Sequence, residues 1–341
     1  INDTGKFIAS DVPAILQYTR TVYYMENEEI VCLSNEHTRF CNIDGEPLEK
    51  QPVTIDWDIH AAEKGGYEHF MLKEIHEQPK AVRDTISPRI HENEIDLGEI
   101  GMTDEEIKNL RKISIVACGS AYHTGAAGKY VIEELARIPV ETDLASEFRY
   151  RNPIYQENSL VIIVSQSGET ADSLAALRDA KAHGCKVLSI VNVVGSSIAR
   201  ESDAVLYTWA GPEISVATTK AYSCQLAVFY LLALKFAQIR STITPDTFQT
   251  LLTALKQLPD QIEGLLSQKE KIQFFANHYL ATEHIFFMGR GIDYAISMEG
   301  SLKLKEISYI HSEAYAAGEL KHGTISLMED GTLVVALATQ D

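Results

Sequence analysis

Basic residues are scarce in this sequence of 341 residues: 30 lysines and arginines stand against 48 acidic residues, a formal net charge of −18. Proteins that coat nucleic acid or anionic lipid need a basic face, so both functions are disfavoured. An anionic small molecule is not excluded, because backbone N–H groups and a few side chains can hold a phosphate locally.

Cysteine is also scarce, and none of the five cysteines forms a C-x-x-C pair. A disulfide framework or a zinc site is therefore not expected, and the cytoplasm is the simplest compartment. The eleven histidines include no H-x-x-x-H pair, and no G-x-x-x-x-G-K-[ST] motif occurs, so we expect neither a metal site nor a nucleotide loop of that type.

The sequence has no signal-peptide pattern and no long apolar run. The longest run, residues 226–234, is about half the length that is needed to cross a bilayer. It predicts a buried helix, and no membrane partner is expected.

Three zones follow one another along the chain. Short apolar or alternating runs in residues 1–58, with a turn at Asp44-Gly45, predict a mostly β-stranded segment. Residues 59–105 predict a helical linker, with a helix that we expect to stop at Pro79. Further on, apolar strands alternate with helices, which predicts an α/β fold of three layers with a central parallel sheet. The predicted strands are 113–117, 160–164, 186–191 and 204–208, and the predicted helices are 118–137, 171–183 and 218–238.

Three short segments recur in the same order about 170 residues later, which indicates a duplicated domain. We therefore predict a first α/β domain over residues 106–245 and a second copy over residues 246–341. The second copy reaches only its second predicted strand, so we expect it to be truncated. The matched segments are 115–120 and 285–290, 145–148 and 317–320, and 159–164 and 332–337.

Residues Ser165–Thr170, with the sequence SQSGET, lie between a predicted buried strand and a predicted helix. This places them at the carboxyl edge of a parallel sheet, where open α/β folds bind ligands. Three hydroxyl groups, a glycine and the free N–H groups of the helix start favour a phosphate. Glu169 would repel a phosphate unless its side chain points away. The alternative is an ordinary capped turn.

Other polar residues sit in comparable positions. Ser120 follows the first predicted strand and Thr218 precedes the long helix, and hydroxyl-rich turns that meet at one sheet edge favour an anionic ligand. Lys303 and Glu306 share a helix face. They form either a solvated ion pair or a general base with a cationic neighbour. His322 is either a surface residue or a proton shuttle.

Eight segments spread along the chain carry a family resemblance. They are residues 7–13 (FIASDVP), 65–79 (GGYEHFMLKEIHEQP), 118–120 (CGS), 145–151 (ASEFRYR), 165–170 (SQSGET), 216–220 (VATTK), 299–308 (EGSLKLKEIS) and 313–323 (EAYAAGELKHG). Together they resemble the glutamine–fructose-6-phosphate aminotransferases, also called glucosamine-6-phosphate synthases. The resemblance covers essentially the whole chain.

The resemblance implies a partial N-terminal-nucleophile glutaminase domain in residues 1–58, followed by two sugar isomerase (SIS) domains. In this family the glutaminase releases ammonia from glutamine, and the isomerase half condenses it with open-chain fructose 6-phosphate. A carboxylate base then moves a proton between C1 and C2 and gives glucosamine 6-phosphate. No metal or redox cofactor takes part, and a homodimer is implied.

Matching the motifs residue by residue, the resemblance implies roles for individual side chains. Val216 and Thr218 would line the sugar. Glu306 would be the proton-transferring base, Lys303 its neighbour, and His322, from a partner subunit, the ring-opening group. The phosphate would be held by Ser120, Ser165, Gln166, Ser167 and Thr170.

The chain departs from the family in two ways. Ala121 stands where a second hydroxyl is common, so we expect one sugar or phosphate contact to be absent. The glutaminase cysteine and the family's C-terminal tail are not in the chain, so we expect it alone to lack glutaminase and full synthase activity. Two alternatives stay open: another SIS-domain phosphosugar isomerase or deglycase, and a non-catalytic sugar-phosphate-binding module.

Overall fold

The structure of the chain is a computed structural model that describes residues 5–9, 15, 18–26, 28–34, 37–55, 64–98 and 100–339. It divides into two compact units. The first consists of Ile1–Phe70 and Gly211–Ile214, and the second of Met71–Ala210 and Ser215–Asp341. Residues 10–13 of the FIASDVP segment and residues 59–63 of the predicted linker lie outside the described residues.

Antiparallel strand pairs form the first unit, where the sequence predicts strands. They are β1 (Thr21–Val22) with β4 (Val53–Thr54), and β2 (Glu29–Leu33) with β3 (Thr38–Asn42). The predicted turn follows β3, where the Asn42 side chain accepts from the N–H groups of Asp44 and Glu46 at 3.1 and 2.9 Å. Gly45 has a φ of 84°, a left-handed conformation that glycine adopts at little cost.

Helix α1 spans Phe70–Ile86 and continues through Pro79, so the predicted stop at that proline is wrong. Proline lacks the N–H that would bond to the carbonyl of Ile75. The side chain of Gln78 replaces this donor, because its Nε2 donates to Ile75 O at 3.2 Å. Three buried apolar residues then hold the second half of the helix in the core: Ala81, Val82 and Ile86.

A short hairpin and a helix connect α1 to the main sheet of the second unit: β5 (Ile90–His91), β6 (Glu94–Ile95) and α2 (Asp104–Asn109). The sheet consists of β7 (Lys112–Ala117), β8 (Val140–Leu144), β9 (Ser159–Ser165), β10 (Lys186–Val191) and β11 (Ala204–Tyr207). All five strands are parallel, in the order β11-β10-β9-β7-β8. The sequence predicts four of them and misses β8, an edge strand with polar residues at its centre.

Helices cover both faces of this sheet, which confirms the predicted three-layer α/β architecture. The side chains of β9 alternate between the two faces, so each side of the strand enters a different apolar cluster. One face packs against α3 (Gly119–Leu135) and α7 (Lys220–Arg240). The other packs against α4 (Ala145–Tyr150), α5 (Ala171–Ala182) and α6 (Ser197–Glu201).

Helix α7 is long and apolar enough, by length and composition alone, to cross a membrane. However, 61% of its most apolar 18-residue window is buried inside the fold, and Phe229 and Phe236 are among the largest fully buried side chains of the described residues. The prediction that residues 226–234 form a buried helix is therefore confirmed.

A second parallel sheet repeats the topology of the first. Its elements are α8 (Pro245–Leu266), α9 (Lys269–His278), β12 (His284–Gly289), α10 (Ile292–Ser308), β13 (His311–Ala316) and β14 (Leu333–Ala336). The order β13-β12-β14 matches β8-β7-β9, so the internal repeat is confirmed. One matched pair differs, because residues 145–148 begin α4 whereas residues 317–320 form a turn.

Candidate functional site

The SQSGET loop (Ser165–Thr170) lies at the carboxyl end of β9 and is organised by its own hydroxyl groups. Ser165 Oγ accepts from the N–H of Gly168 at 3.0 Å and lies 3.1 Å from Thr170 Oγ1. Ser167 Oγ accepts from the N–H of Glu169 at 3.2 Å. Ser165 is only 3% exposed, so these bonds hold the loop on its buried side.

A second loop, residues 192–196, supports the SQSGET loop from the side. Gly168 has a φ of 69°, and a Cβ built there would lie 2.0 Å from Ser196 Oγ. Only glycine fits this position without movement of its neighbour. The backbones are also bonded: Asn192 N–H donates to Gln166 O at 3.1 Å, and Ile198 N–H donates to Gly168 O at 3.0 Å.

Both carboxylates near the loop are engaged elsewhere. Glu169 Oε1 accepts from the Ser197 N–H at 2.8 Å, so its charge points towards α6. Asp172, in the first turn of α5, lies 3.4 Å from Arg149 Nη1. A phosphate at this loop requires that the Glu169 side chain point away from it. The structure meets this requirement.

The start of α5 supplies donors for an anion. Thr170 is its N-cap, and the Thr170 side chain makes no capping bond. The first N–H groups of a helix have no acceptor within the helix and lie at the positive end of its dipole. These groups and the hydroxyls of the SQSGET loop face the carboxyl edge of the sheet.

Ser120 lies at the same edge, in the first turn of α3. Strands β7 and β9 are neighbours, so the turn after β7 and the SQSGET loop are adjacent. Cys118 Sγ, 3.9 Å from Ser173 Oγ, links the starts of α3 and α5. The structure thus brings Ser120 and the SQSGET loop together.

Val216 and Thr218 lie in the segment between β11 and α7. Val216 is 98% exposed, whereas Thr218 is half-buried. The Ser215 N–H, at the beginning of this segment, donates to Glu74 Oε1 on α1 at 3.1 Å. The segment is therefore held by α1.

Lys303 and Glu306 belong to a longer group of charges that we call the polar chain: His123, Glu299, Lys303 and Glu306. Lys303 is ion-paired with Glu306, and its Nζ lies 3.5 Å from Glu299 Oε1. Glu299 Oε2 in turn lies 2.7 Å from His123 Nδ1 on α3. The side chains of His123, Glu299 and Lys303 are 15%, 7% and 16% exposed, whereas that of Glu306 is 32% exposed, so the Lys303–Glu306 pair reaches from a largely buried lysine to a solvent-accessible carboxylate.

The packing of α3 against α10 is antiparallel. Ala126 and Ala127, further along α3, cluster with Ala295, which precedes Glu299 on α10. In the opposite direction, Ser120 precedes His123 by one turn, and Lys303 and Glu306 follow Glu299. Glu306 therefore projects towards the end of α3 that carries Ser120.

The hydroxyl of Tyr222 on α7 is buried within electrostatic reach of Glu299, and among the described residues it makes no hydrogen bond to the polar chain. Burial, and secondarily the Glu299 carboxylate, raise the pKa of Tyr222 above its ordinary value. The group is therefore a neutral phenol at physiological pH. Sequence reasoning did not select Tyr222, His123 or Glu299, although Glu299 stands four residues before Lys303 on the same helix face.

His322 lies apart from the polar chain. It is exposed, in the turn that follows β13, and its backbone N–H donates to Glu319 O at 2.9 Å. Within the described part of the chain, no hydrogen bond or ion pair joins it to the polar chain. Among the same residues, no group of three or more histidine, cysteine, aspartate or glutamate side chains is arranged to hold a metal ion.

Comparison with known families agrees with this fold. The model of the SIS domain family matches residues 106–235 and 279–341. The chain belongs to the SIS domain family.

Curated relatives then specify the kind of SIS protein that this chain resembles. It is 59% identical over 341 residues to the isomerizing glutamine–fructose-6-phosphate aminotransferase of Clostridium acetobutylicum, covering 100% of this chain and 56% of that protein. It is 57% identical over 342 residues to the enzyme of the same name from Caldanaerobacter subterraneus, again covering 100% and 56%. The chain spans about half the length of the curated relatives it matches.

Solved structures of sugar-phosphate proteins are also similar to this chain. The C-terminal domain of glucosamine-fructose-6-phosphate aminotransferase from Francisella tularensis has a TM-score of 0.79 and 41% identity, over 82% of this chain and 78% of that one. Glucosamine-6-phosphate deaminase from Thermotoga maritima has a TM-score of 0.61 and 25% identity, over 79% and 76%. The resemblance inferred from the sequence motifs is confirmed.

Proposed function

We propose that this chain forms the isomerase half of a glucosamine-6-phosphate synthase, which converts fructose 6-phosphate and ammonia into glucosamine 6-phosphate and water. The observation that carries the proposal is the polar chain, because it runs from the helix that bears Ser120 to the carboxylate of Glu306. The names of the curated relatives support the choice of substrates. We further propose a cytoplasmic homodimer that takes its ammonia from glutamine.

The phosphate of the sugar binds at the SQSGET loop and Ser120. Ser165 accepts from Gly168 and can donate to Thr170, which leaves the Thr170 hydroxyl proton for a phosphate oxygen. Ser167 accepts a backbone N–H, so its own proton is likewise free to be donated. The Gln166 side chain and the N–H groups at the start of α5 complete the cradle.

The sugar extends from the phosphate towards the polar chain. Val216 and Thr218 line it, and His322 of a second subunit opens the ring. Ammonia adds to the C2 carbonyl and water leaves, which gives an imine at C2. Glu306 takes a proton from C1 and returns it to C2, while the proton of the C1 hydroxyl passes to the nitrogen. C1 thereby becomes the aldehyde and C2 carries the amino group.

Lys303 holds the Glu306 carboxylate in place through their ion pair, which joins two residues one turn apart on α10. Glu299 shares Lys303, and His123 shares Glu299. The lysine is therefore held between two carboxylates, at a fixed distance from the base.

Calorimetric titration of this chain with fructose 6-phosphate tests the phosphate site. We expect saturable binding, and a loss of about tenfold or more in affinity for Ser167→Ala, since one hydrogen bond to a charged group is removed. Ser159→Ala is the matched control, because Ser159 lies at the opposite end of the same strand. Equal affinity in the wild type and Ser167→Ala would remove the SQSGET loop from the site.

A second candidate, deamination of glucosamine 6-phosphate, is favoured by the likeness to the Thermotoga maritima deaminase. The two reactions run in opposite directions, because the first incorporates ammonia into the sugar and the second releases it. Incubation of the complete gene product with ¹⁵N-ammonium and fructose 6-phosphate should incorporate the label into an amino sugar under the first proposal. Release of ammonium from glucosamine 6-phosphate without incorporation would favour the deaminase.

A further inference from the structure

The segment that precedes α7 is attached to helix α1 at both ends. We call it the sugar loop (Ser215–Thr219). At its beginning, the Ser215 N–H donates to Glu74 Oε1 at 3.1 Å. Directly after its end, Lys220 Nζ donates to Glu77 Oε2 at 2.7 Å. Two carboxylates one turn apart on α1 therefore bind the two ends of a five-residue loop.

These attachments are largely buried. Glu74 and Lys220 are each 2% exposed, and the side chain of Glu77 is 28% exposed. Lys73, 7% exposed, lies 3.4 Å from the carboxylate of Glu77, so two lysines and two glutamates balance one another in charge. Buried charges cost more to desolvate than an apolar contact of similar size, and they add little net stability. What they provide is a single defined geometry.

A third bond extends the contact into α7. Ser223 Oγ donates to Gln78 Oε1 at 2.5 Å. Glu74, Glu77 and Gln78 thus lie on one side of α1 and fix, in turn, the beginning of the sugar loop, its end and the first turn of α7. Between the two anchors, Val216 is left 98% exposed at the tip of the loop.

We propose that Glu74 and Glu77 are positioning residues that hold the sugar loop in the conformation that recognises the sugar part of the substrate. This inference rests on the proposed function, in which Val216 and Thr218 line the sugar. The SQSGET loop is organised by its own hydroxyls and by residues 192–198. Helix α1 therefore governs affinity for the sugar and leaves affinity for the phosphate unchanged.

Two ligands separate these contributions: fructose 6-phosphate, which touches both loops, and inorganic phosphate, which needs only the SQSGET loop. Binding of each is measured by NMR titration of the chain. In Glu77→Gln, the ion pair with Lys220 is lost at nearly constant shape. We expect fructose 6-phosphate to bind about tenfold more weakly, because the ligand must now order at least one backbone residue of the loop. Inorganic phosphate should bind as in the wild type.

The Glu74 position supplies a rescue test. Glu74→Met removes the acceptor of the Ser215 N–H and should weaken fructose 6-phosphate binding by about the same factor. Glu74→Gln keeps an oxygen in the Oε1 position and should restore most of the affinity. Lys80→Ala is the matched control, because Lys80 pairs with Asp84 on the exposed side of the same helix.

Three outcomes decide the inference. Selective loss of fructose 6-phosphate binding, with Glu74→Gln close to the wild type, supports it. An equal loss for both ligands, or no loss for either, overturns it and leaves the proposed function intact. A wild-type chain that binds inorganic phosphate but not fructose 6-phosphate overturns the proposed function and this inference together. If Glu74→Met does not fold, the Glu77→Gln comparison alone decides in the same way.

Discussion

His123 on α3 and Glu299 on α10 are joined by a hydrogen bond of 2.7 Å, which links the first parallel sheet and its helices to the second. Glu299 is 7% exposed in its side chain and also lies 3.5 Å from Lys303. A histidine of the first half of the fold thus orients a lysine of the second half through one shared carboxylate.

Replacement of His123 should affect both the stability of the fold and the rate of the reaction, and the two effects can be measured separately. His123→Ala leaves a buried carboxylate short of one partner, which costs about 1–3 kcal/mol of unfolding free energy. In the complete gene product, kcat should fall more than the affinity for fructose 6-phosphate, because Lys303 loses its fixed position. Urea unfolding and steady-state kinetics measure the two effects. His123→Asn, which keeps a short donor, should recover part of both, and a full loss in this variant would contradict the assignment.

Glu306→Gln should remove the carboxylate that we propose as the proton-transferring base. General acid–base catalysis contributes about 10²–10⁴-fold, so we expect kcat of the complete gene product to fall within that range. Calorimetry should show that fructose 6-phosphate still binds, since the phosphate contacts are untouched. Lys305→Met, on the exposed side of the same helix, is the control. Turnover of Glu306→Gln at the wild-type rate would assign the base elsewhere.

Gly168→Ala tests the support of the SQSGET loop by Ser196. The new Cβ would meet Ser196 Oγ at 2.0 Å, in a left-handed conformation that costs an L-residue about 1–2 kcal/mol by itself. We expect thermal destabilisation and loss of phosphate binding. Gly184→Ala is matched in conformation, with φ 77°, but nothing lies within 4 Å of its Cβ, so only the conformational cost should be seen. The pair Gly168→Ala, Ser196→Gly should regain part of the binding.

Acid stability should depend on Glu106, which is exposed on α2. A hydrogen bond from Lys186, followed by the backbone N–H of Thr103, lowers the pKa of Glu106 to about 2. A depressed pKa means that this carboxylate stabilises the fold above its ordinary pKa of 4.5 and loses that contribution as the pH falls towards 2. Glu106→Gln should therefore flatten the dependence of stability on pH between 4.5 and 2. Glu105→Gln, whose carboxylate accepts from the Asn109 amide, is the control, and an identical flattening there would contradict the assignment.

Local patterns in the sequence were sufficient for much of the fold. The apolar runs of β7, β9, β10 and β11 and the hydroxyl-rich turn after β9 have short-range signatures. Strands β8 and β13 have polar centres, so their pairing depends on the neighbouring strand and not on their own composition. The continuation of α1 through Pro79 depends on one glutamine side chain, which no periodicity rule takes into account.

The candidate site was predictable where its residues are neighbours in sequence, as in the SQSGET loop and the Lys303–Glu306 pair. The direction of Glu169 was not, because its acceptor role involves Ser197, 28 residues further on. The partnership of His123 with Glu299 was not predictable either, since the two residues are 176 positions apart and only tertiary packing joins them.

The 176 positions between His123 and Glu299 also determine the order in which parts of the fold can form during protein synthesis. At about 5–20 residues per second, the ribosome adds Glu299 on the order of ten to thirty seconds after His123. All five strands of the first sheet are made before that moment, so they have time to pair while the histidine has no carboxylate to meet. The contact between His123 and Glu299 is therefore completed late, after every strand of the first sheet has been synthesised.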